Sequence, residues 1–375
     1  MKRVLISGGA GFIGTNLSKQ LIRKGYSVTI LDNLSRQIHG NPALFYKSEI
    51  INQVNFIKGD VCNLEDWKRA VNNQDAVVHL AAETGTGQSM YEQEKYKKVN
   101  IGGTKMLFEV LKNSKHSISK MVLASSRAIY GEGKYICQEH GDVFPKQRKE
   151  VYMHRGIFNP ICEKCNQELA ISLTDEHVKI NPISIYGATK YHQEKIFMQE
   201  GEKLGIPVTA LRYQNVYGPG QSLSNPYTGI LSIFSTRILN NNDIEIYEDG
   251  SQSRDFIYID DIVRATIYSL EKKKANKQVF NVGTGKSISV FTVAKTLKEL
   301  YKSDINISID GRYRIGDIRH AACDVSKIDR LLEFKPYIKF EDGARQFANW
   351  VKTQNICIDK YEDSIKELKN KGLIK

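Results

Sequence analysis

The sequence contains no apolar run that approaches the ~20 residues needed to cross a bilayer. Near the N-terminus it offers only the short apolar stretch Val4-Leu5-Ile6, without the cleavage site of a secretory signal peptide. It also has no Gly/Ser- or Pro-rich linker and no repeat of fixed period. We therefore expect a cytoplasmic protein without a membrane partner, in which any second domain interleaves with the first.

Charges of both signs are present, with 54 basic and 42 acidic residues and a net charge of +12. Such an excess fits a nucleic-acid-binding protein, an enzyme for a diphosphate-bearing substrate, or a solvated lysine-rich surface. No basic run is interleaved with aromatic residues in the way that stacked bases require. We therefore favour the lysine-rich surface and predict no nucleic-acid partner.

Short apolar strands alternate with helical patterns through the first half of the 375 residues. The predicted strands are 3–7, 27–31, 54–58, 76–79, 120–125 and 207–212, and the predicted helices are 12–24, 64–71, 99–111 and 188–204. Strands separated by helices of this length indicate βαβ crossovers and a parallel sheet with helices on both faces. Beyond residue 250 the alternation loosens, with strands predicted at 256–258 and 279–282 and helices at 261–272 and 290–300.

A glycine triplet, Gly8, Gly11 and Gly14, stands between the first strand and the first helix. Glycines at this spacing let the chain turn tightly, approach a pyrophosphate and pack the helix on the strand. The helix N-terminus then offers free N–H groups to the phosphates. Asp32 ends the second strand, where a carboxylate binds ribose hydroxyls and repels a 2′-phosphate. The pattern predicts a Rossmann-type, doubly wound α/β fold that binds NAD in preference to NADP.

Two further segments fall at strand ends on the predicted cofactor side. Asp60 follows the third strand, where its carboxylate either accepts a hydrogen bond from the adenine amino group or caps the helix that begins near Leu64. The small residues of Leu80-Ala81-Ala82 end the fourth strand and suit a backbone close to the cofactor. Neither segment is specific on its own.

Tyr186 and Lys190 form a Tyr-x-x-x-Lys pattern at the start of a helix, so they share a face one turn apart. A free tyrosine has a pKa of about 10, and a neighbouring lysine cation favours the phenolate. Ser126 ends a core strand, where its hydroxyl can orient the reacting oxygen. The three residues together predict a general base with its activating groups.

This set of motifs resembles the extended short-chain dehydrogenase/reductase family, in its nucleotide-sugar epimerase/dehydratase branch, as far as about Trp350. The resemblance implies an NAD-dependent homodimer that binds a dTDP- or UDP-linked sugar. It implies further cofactor contacts from Phe12, Ile13, Asn33, Val61 and Asn100. It also implies that the diphosphate and nucleoside contact Asn215, Arg254, Arg314 and Asp317, and guanidinium groups suit phosphate oxygens.

The residues after Ser126 separate the activities of this branch. The 4,6-dehydratases of the family have an Asp-Glu pair there and the decarboxylases a glutamate, whereas this sequence has Arg127 and Ala128. Epimerisation needs only the Ser–Tyr–Lys centre, because one cofactor takes and returns the same hydride. We therefore predict a 4-epimerase in which Arg127 contacts the substrate. A UDP-sugar 4-epimerase, a dehydratase or reductase, and a cofactor-sensing regulatory protein stay open as alternatives.

Within the branch, three features resemble bacterial dTDP-L-rhamnose 4-epimerases, which make dTDP-6-deoxy-L-talose for surface polysaccharides. These features are Arg127, the segment 224–229 and an insertion with cysteines. The corresponding domain division assigns 1–131, 186–212 and 256–285 to NAD binding and 132–185 to the insertion. It assigns 213–255 and 286–350 to the substrate, and leaves 351–375 as a C-terminal tail.

Four potential zinc ligands occur in the insertion, in two pairs with two-residue gaps: Cys137, His140, Cys162 and Cys165. Such gaps let both ligands of a pair reach one tetrahedral ion. Gly141 and Asn166 follow the pairs, and both tolerate the positive φ of a metal knuckle. Because the insertion has few apolar residues for a core of its own, we predict a structural zinc knuckle. Free thiols and a surface histidine are the alternative.

Overall fold

Seven parallel strands form the central sheet in the part of this computed structural model that is described, residues 2–40, 43–46, 48–227, 229–355 and 358–375. The strand order is β3-β2-β1-β4-β5-β9-β14. The strands are β1 (Arg3–Ser7), β2 (Ser27–Asp32), β3 (Val54–Lys58), β4 (Ala76–His79), β5 (Lys120–Ser126), β6 (Tyr135–Cys137), β7 (Gly141–Val143), β8 (Ala170–Ile171), β9 (Val208–Tyr213), β10 (Asn215–Tyr217), β11 (Ile244–Ile246), β12 (Ser253–Arg254), β13 (Phe256–Tyr258), β14 (Gln278–Val282), β15 (Ile288–Ser289) and β16 (Ile307–Ile309).

Helices cover both faces of this sheet. They are α1 (Phe12–Arg23), α2 (Arg36–His39), α3 (Ala43–Tyr46), α4 (Leu64–Val71), α5 (Thr86–Ser89), α6 (Gln93–Tyr96), α7 (Thr104–Asn113), α8 (Glu150–Met153), α9 (Ile185–Lys203), α10 (Ile230–Leu239), α11 (Ile259–Glu271), α12 (Val290–Tyr301), α13 (Ser326–Leu332), α14 (Phe340–Lys352) and α15 (Tyr361–Asn370). No helix among these residues is long and apolar enough to span a membrane.

The core lies in two layers, one on each face of the sheet. Helices α1 and α11 bury apolar side chains in one layer, and α4, α7 and α9 bury theirs in the other. Strands β4 and β5 are buried along their whole length, as expected for central parallel strands covered on both sides. The predicted Rossmann-type α/β fold is confirmed.

The structure differs from the predicted helix 99–111 in the first half of this segment. Residues Lys97–Gly103 form a π-helix, and the α-helix begins only at Thr104. The hydroxyl of Thr104 donates to the main-chain oxygen of Asn100 at 2.7 Å. Gly102 and Gly103 have low helix propensity, and single π turns occur where a local distortion serves a site.

Smaller sheets form beyond the central one. Strand β13 pairs in parallel with β10, not with the seven-stranded sheet, and β11 pairs with β16. Strands β7, β6 and β8 form an antiparallel sheet inside the insertion.

The insertion has few apolar residues, as the sequence indicates, but these form a small packed cluster. Tyr135 and Leu169 are buried together with two of the cysteines. The buried Arg148 contacts Glu132 at 3.1 Å and Glu248 at 2.8 Å, so ion pairs hold the segment to the second half of the chain. The attachment also includes apolar contacts, since Met153 and Phe158 pack with Tyr313. Periodicity within the insertion does not identify such partners, because they lie far along the chain.

The last residues are an ordered part of the fold instead of a plain tail. Helix α15 buries Tyr361, Ile365 and Leu368, and Ile374 joins the same cluster. Tyr91 and Tyr247, from distant segments, pack against it.

Candidate active site

A cavity of about 600 Å³ opens at the carboxyl ends of the central strands. It is lined by most of the residues predicted to bind cofactor or substrate: Gly8, Gly11, Phe12, Ile13, Gly14, Asp32, Asn33, Val61, Leu80, Ala81, Ala82, Ser126, Arg127, Tyr186, Asn215, Arg254, Arg314 and Asp317. The crevice outside the carboxyl ends of strands is where α/β sheets bind their ligands. One continuous space therefore joins the two predicted sites.

The glycine-rich loop has the backbone that a dinucleotide needs. Gly8 has φ +72°, and a Cβ there would lie 2.7 Å from the main-chain nitrogen of Ala81. A Cβ on Gly14 would lie 2.5 Å from the Cα of Gly9. The loop can therefore lie this close to β4 and α1 only with glycine at both positions. The N-terminus of α1 opens into the cavity, with Gly11 as its N-cap.

Asp32 lies at the end of β2 and lines the cavity. Its carboxylate accepts hydrogen bonds from the main-chain nitrogens of Ala10, at 3.1 Å, and Leu34, at 2.8 Å. These bonds fix the carboxylate between the glycine-rich loop and the segment after β2. His39 Nε2 lies 3.4 Å from the same carboxylate.

Asp60 and Asn100 do not line the cavity. Asn63, not Asp60, caps α4, since its Oδ1 accepts from the main-chain nitrogen of Glu65 at 2.9 Å. The alternative that Asp60 caps this helix is therefore wrong. Asp60 accepts a hydrogen bond from the Nδ2 of Asn33 at 3.2 Å. Asn100 is fully buried and bonds to both main-chain groups of Glu83.

Ser126 and Tyr186 meet inside the cavity. Ser126 ends β5, and its Oγ accepts a hydrogen bond from the main-chain nitrogen of Ala128 at 3.2 Å. Tyr186 lies in the first turn of α9, a helix capped by Ser184. Burial raises the pKa of Tyr186, whereas the hydrogen bond with Ser126 and the charge of Arg127 act to lower it. The phenol therefore lies beside two groups that favour its ionised form.

Lys190 lies one turn after Tyr186 and is almost completely buried. Its ammonium group donates to the side-chain oxygen of Gln193, and Gln193 Nε2 donates to Thr104 Oγ1 at 2.9 Å. Burial lowers the pKa of Lys190 to about 7, against the opposing influence of Glu194. Lys190 does not itself line the cavity.

Three arginines, Arg127, Arg254 and Arg314, line the cavity. Arg127 Nε donates to Asn215 Oδ1 at 3.2 Å, and burial lowers its pKa to about 10. Arg254 donates to Asp317 Oδ1 at 2.9 Å and to main-chain oxygens that include that of Ile318. Arg314 keeps a buried Nε without a partner among the described residues. An unpaired guanidinium nitrogen in a cavity wall suits an anionic ligand.

Three tyrosines that were not among the predicted site residues also line the cavity: Tyr227, Tyr247 and Tyr361. The guanidinium of Arg314 lies 4.9 Å from the ring centroid of Tyr247. Tyr361 belongs to the segment predicted to be a tail, and no sequence signal connects it to the motifs upstream. Thr228, within the quoted segment 224–229, lies outside the described residues.

The four predicted metal ligands form a separate cluster. Cys137 Sγ lies 3.4 Å from His140 Nδ1 and 3.5 Å from Cys165 Sγ, and Cys162 Sγ lies 3.7 Å from His140 Nδ1. All four ligand atoms lie within 4.8 Å of one another. Gly141 and Asn166 have φ values of +68° and +59°, as expected. The main-chain N–H groups of Cys165 and Lys164 lower the pKa of Cys162 to about 6.

The fold brings the glycine-rich loop, Asp32, Ser126 and Tyr186 to one cavity, the arrangement that the motifs predict for a dinucleotide-binding enzyme. The chain belongs to the NAD dependent epimerase/dehydratase family, which matches residues 4–283. It is 34% identical to the dTDP-L-rhamnose 4-epimerase of Burkholderia thailandensis, over 93% of this chain and 95% of that protein. The family predicted from the motifs is therefore confirmed.

Solved structures of nucleotide-sugar 4-epimerases are also similar to this chain. UDP-glucose 4-epimerase from Thermotoga maritima, solved with UDP-glucose, is 29% identical with a TM-score of 0.77, over 93% of this chain and 98% of that one. UDP-glucuronic acid 4-epimerase from Bacillus cereus, solved with UDP-glucuronic acid and NAD, is 25% identical with a TM-score of 0.76, over 93% and 99%. These relatives are nucleotide-sugar 4-epimerases, which is the enzyme class that the motifs predict.

Proposed function

We propose that this protein is an NAD-dependent nucleotide-sugar 4-epimerase, an isomerase that inverts the C4 hydroxyl of its sugar. The observation that carries the proposal is the single cavity that joins the glycine-rich loop and Asp32 to Ser126 and Tyr186, and then to Arg254 and Arg314. A nucleotide sugar can span the second part of this cavity while its reacting carbon lies beside Tyr186.

The residues present fit NAD. Glycine is required at positions 8 and 14, where a Cβ would collide with main-chain atoms, and Asp32 faces the cavity. We assign the pyrophosphate to the glycine-rich loop and the adenosine ribose to Asp32. When bound, NAD accepts a hydride from sugar C4 and returns it.

Tyr186 removes the proton from the 4-hydroxyl and holds it on its phenol oxygen while the sugar is a ketone. The 4-keto sugar rotates in the site. Tyr186 then returns the proton to the sugar oxygen as the opposite face of the ketone is reduced. Ser126 donates a hydrogen bond to that oxygen. The charge of Arg127 favours the phenolate form of Tyr186. We assign the same role to Lys190, one turn further along α9, when its ammonium group is protonated.

For the substrate, we infer dTDP-L-rhamnose, with a role in the synthesis of a surface polysaccharide. Support comes from Arg127 beside Ser126, the segment 224–229 and the 34% identity to the Burkholderia thailandensis enzyme. The alternative is a UDP-linked sugar, which is what the Thermotoga maritima and Bacillus cereus structures hold.

A panel of dTDP-, UDP- and GDP-sugars tests this proposal. We expect interconversion of C4 epimers without added reductant, and the highest kcat/KM with dTDP-L-rhamnose. Product formed in deuterated water and returned to ordinary water should carry no deuterium on carbon, because the original hydride comes back. One added mass unit at C5 indicates a 4,6-dehydratase instead, and a need for stoichiometric cofactor indicates a net oxidoreductase.

We also propose a structural zinc ion at Cys137, His140, Cys162 and Cys165. Tetrahedral bonds of about 2.3 Å to sulfur and about 2.0 Å to nitrogen place neighbouring ligand atoms about 3.5–3.8 Å apart. The three separations of 3.4, 3.5 and 3.7 Å fall near this range. Four protein ligands fill the tetrahedral coordination of the ion. Its role is therefore to hold the knuckle together.

We also propose that the chain divides into an NAD-binding part, an insertion and a substrate-binding part, and that it forms a homodimer. The dimer is supported by resemblance to the family and is tested by light scattering of the purified protein. The expected mass is that of two 42.6 kDa chains. A monomer with full activity overturns the dimer but leaves the epimerase in place.

A further inference from the structure

The C-terminal residues contact both walls of the cavity. Tyr361, in the first turn of α15, lines the cavity directly. Its phenol donates to the phenol oxygen of Tyr247 at 3.3 Å, and Tyr247 lies beneath Arg314. The ring of Tyr361 is therefore part of the wall on the Arg314 side.

The chain after α15 holds the segment that carries Arg314. The main-chain nitrogen of Tyr313 donates to the oxygen of Lys375 at 3.0 Å, and Lys375 returns a bond at 3.1 Å. Ile315 donates to the oxygen of Leu373 at 3.0 Å. Arg314 is thus the middle residue of a short antiparallel pairing with the end of the chain.

The other face of α15 contacts residues 87–91, and this segment lies next to Tyr186. A Cβ on Gly87 would lie 3.5 Å from Leu368, and Lys371 lies over the ring of Tyr91. Ser89, within this segment, accepts a hydrogen bond from the main-chain nitrogen of Tyr186 at 3.0 Å. Contacts of α15 therefore extend from the Arg314 wall to the neighbourhood of Tyr186.

Charged contacts tie the helix to the substrate side. Arg237 pairs with Glu362 at 2.8 Å and with Asp359 at 3.3 Å, and its guanidinium lies 4.4 Å from the ring centroid of Tyr361. The phenol of Tyr227, a cavity residue, donates to the carboxylate of Glu367. None of these contacts involves the glycine-rich loop or Asp32.

We propose that residues 361–375 form a C-terminal clasp that completes the nucleotide-sugar site, with Tyr361 as a wall that contacts the nucleotide part of the substrate. The clasp positions Arg314 through main-chain pairing and leaves NAD binding to the Rossmann core. This inference rests on the proposed function, because it assigns the Arg314 end of the cavity to the nucleotide.

The first test compares Tyr361→Ala, Tyr361→Phe and the exposed control Lys366→Ala in the full chain. We expect Tyr361→Ala to raise KM for the nucleotide sugar by about tenfold or more, with NAD content unchanged and a smaller effect on kcat. Tyr361→Phe retains the ring and should stay within about threefold of wild type, as should the control. A KM for Tyr361→Ala within about twofold of wild type overturns the contact.

The second test does not depend on turnover and uses the unaltered protein. Amide hydrogen exchange of residues 361–375 is measured alone, with NAD, and with dTDP or UDP added. We expect the nucleotide diphosphate to slow exchange in the clasp and at Arg314, and NAD alone to leave both unchanged. Equal exchange in all three states overturns the clasp. If the full-length protein epimerises no sugar, the proposed function fails, whereas the exchange result still decides whether the clasp closes on a nucleotide.

Discussion

The guanidinium of Arg148 lies 2.8 Å from the carboxylate of Glu248, a hundred residues further along the chain. Arg148 also pairs with Glu132, and Glu248 pairs with Arg319 at 2.7 Å. All of these side chains are buried. The network attaches the insertion to the segment next to Asp317, whose main-chain oxygen also accepts a bond from Arg148 at 3.1 Å.

Replacing Arg148 by methionine should therefore destabilise the protein. The change leaves two buried carboxylates short of a cation, and breaking a buried pair from one side costs about 3 kcal/mol or more. Urea titration measures the free energy of unfolding. The matched control is Lys146→Met, since the Lys146–Glu163 pair is exposed and 3.6 Å apart. Equal stabilities of the two variants contradict a structural role for the network.

Tyr186→Phe should lower turnover by roughly a thousandfold, because the general base is lost while the ring stays packed. NAD content, measured by the absorbance of cofactor released on denaturation, should not change. An activity within about tenfold of wild type shows that another group takes the proton.

Asp32→Ala should weaken NAD binding by about 10- to 100-fold, since hydrogen bonds to a charged group are worth about 1.5–3 kcal/mol. Without the carboxylate, a 2′-phosphate is no longer repelled, so NADP should compete. Calorimetric titration with both cofactors gives the preference. An unchanged preference places the ribose elsewhere.

Elemental analysis of protein purified without a histidine tag should find about one zinc ion per chain. The double change of Cys162 and Cys165 to serine should remove the metal and make residues 137–171 sensitive to protease, while NAD still binds. Cys62→Ser serves as the control, because Cys62 lies outside the cluster. Native protein that lacks zinc and resists protease at this segment indicates ordinary thiols.

The free energy of unfolding should depend on pH through the protonation of His79. This side chain is buried between Ser7 and Thr104, and burial lowers its pKa from 6.5 to about 3. Between these values the unfolded chain binds a proton that the folded protein does not, so stability falls as the pH falls from about 6.5 toward 3.

His79→Gln should lower stability at neutral pH but reduce the slope of stability against pH by about 1.4 kcal/mol per unit between pH 4 and 6. Denaturant titrations at a series of pH values measure this slope. The exposed His177→Gln provides the comparison. An undiminished slope in the His79 variant means that other groups dominate this range.

The central sheet could be predicted from the sequence because its signals are local. A strand buried on both faces is a short apolar run, such as Val4-Leu5-Ile6, and the helices between strands follow a period of their own. The glycine-rich loop was recognisable for a similar reason, since only glycine meets the demands on the backbone at Gly8 and Gly14. The spacing of the cysteine pairs predicted a cluster that the structure brings together.

Local patterns were thus sufficient to predict the sheet, the glycine-rich loop, and the positions of Ser126 at a strand end and Tyr186 at a helix start. The pairing of Arg148 with Glu248, the hydrogen bond from Gln193 to Thr104, and the pairing of the last residues beside Arg314 depend instead on the whole fold. Each of these contacts joins segments that are far apart in the sequence, and the local pattern of one segment does not identify the other. Their formation depends on where the packed core brings the loops and the chain end, because a charge or hydroxyl pairs with whatever group the fold places within reach.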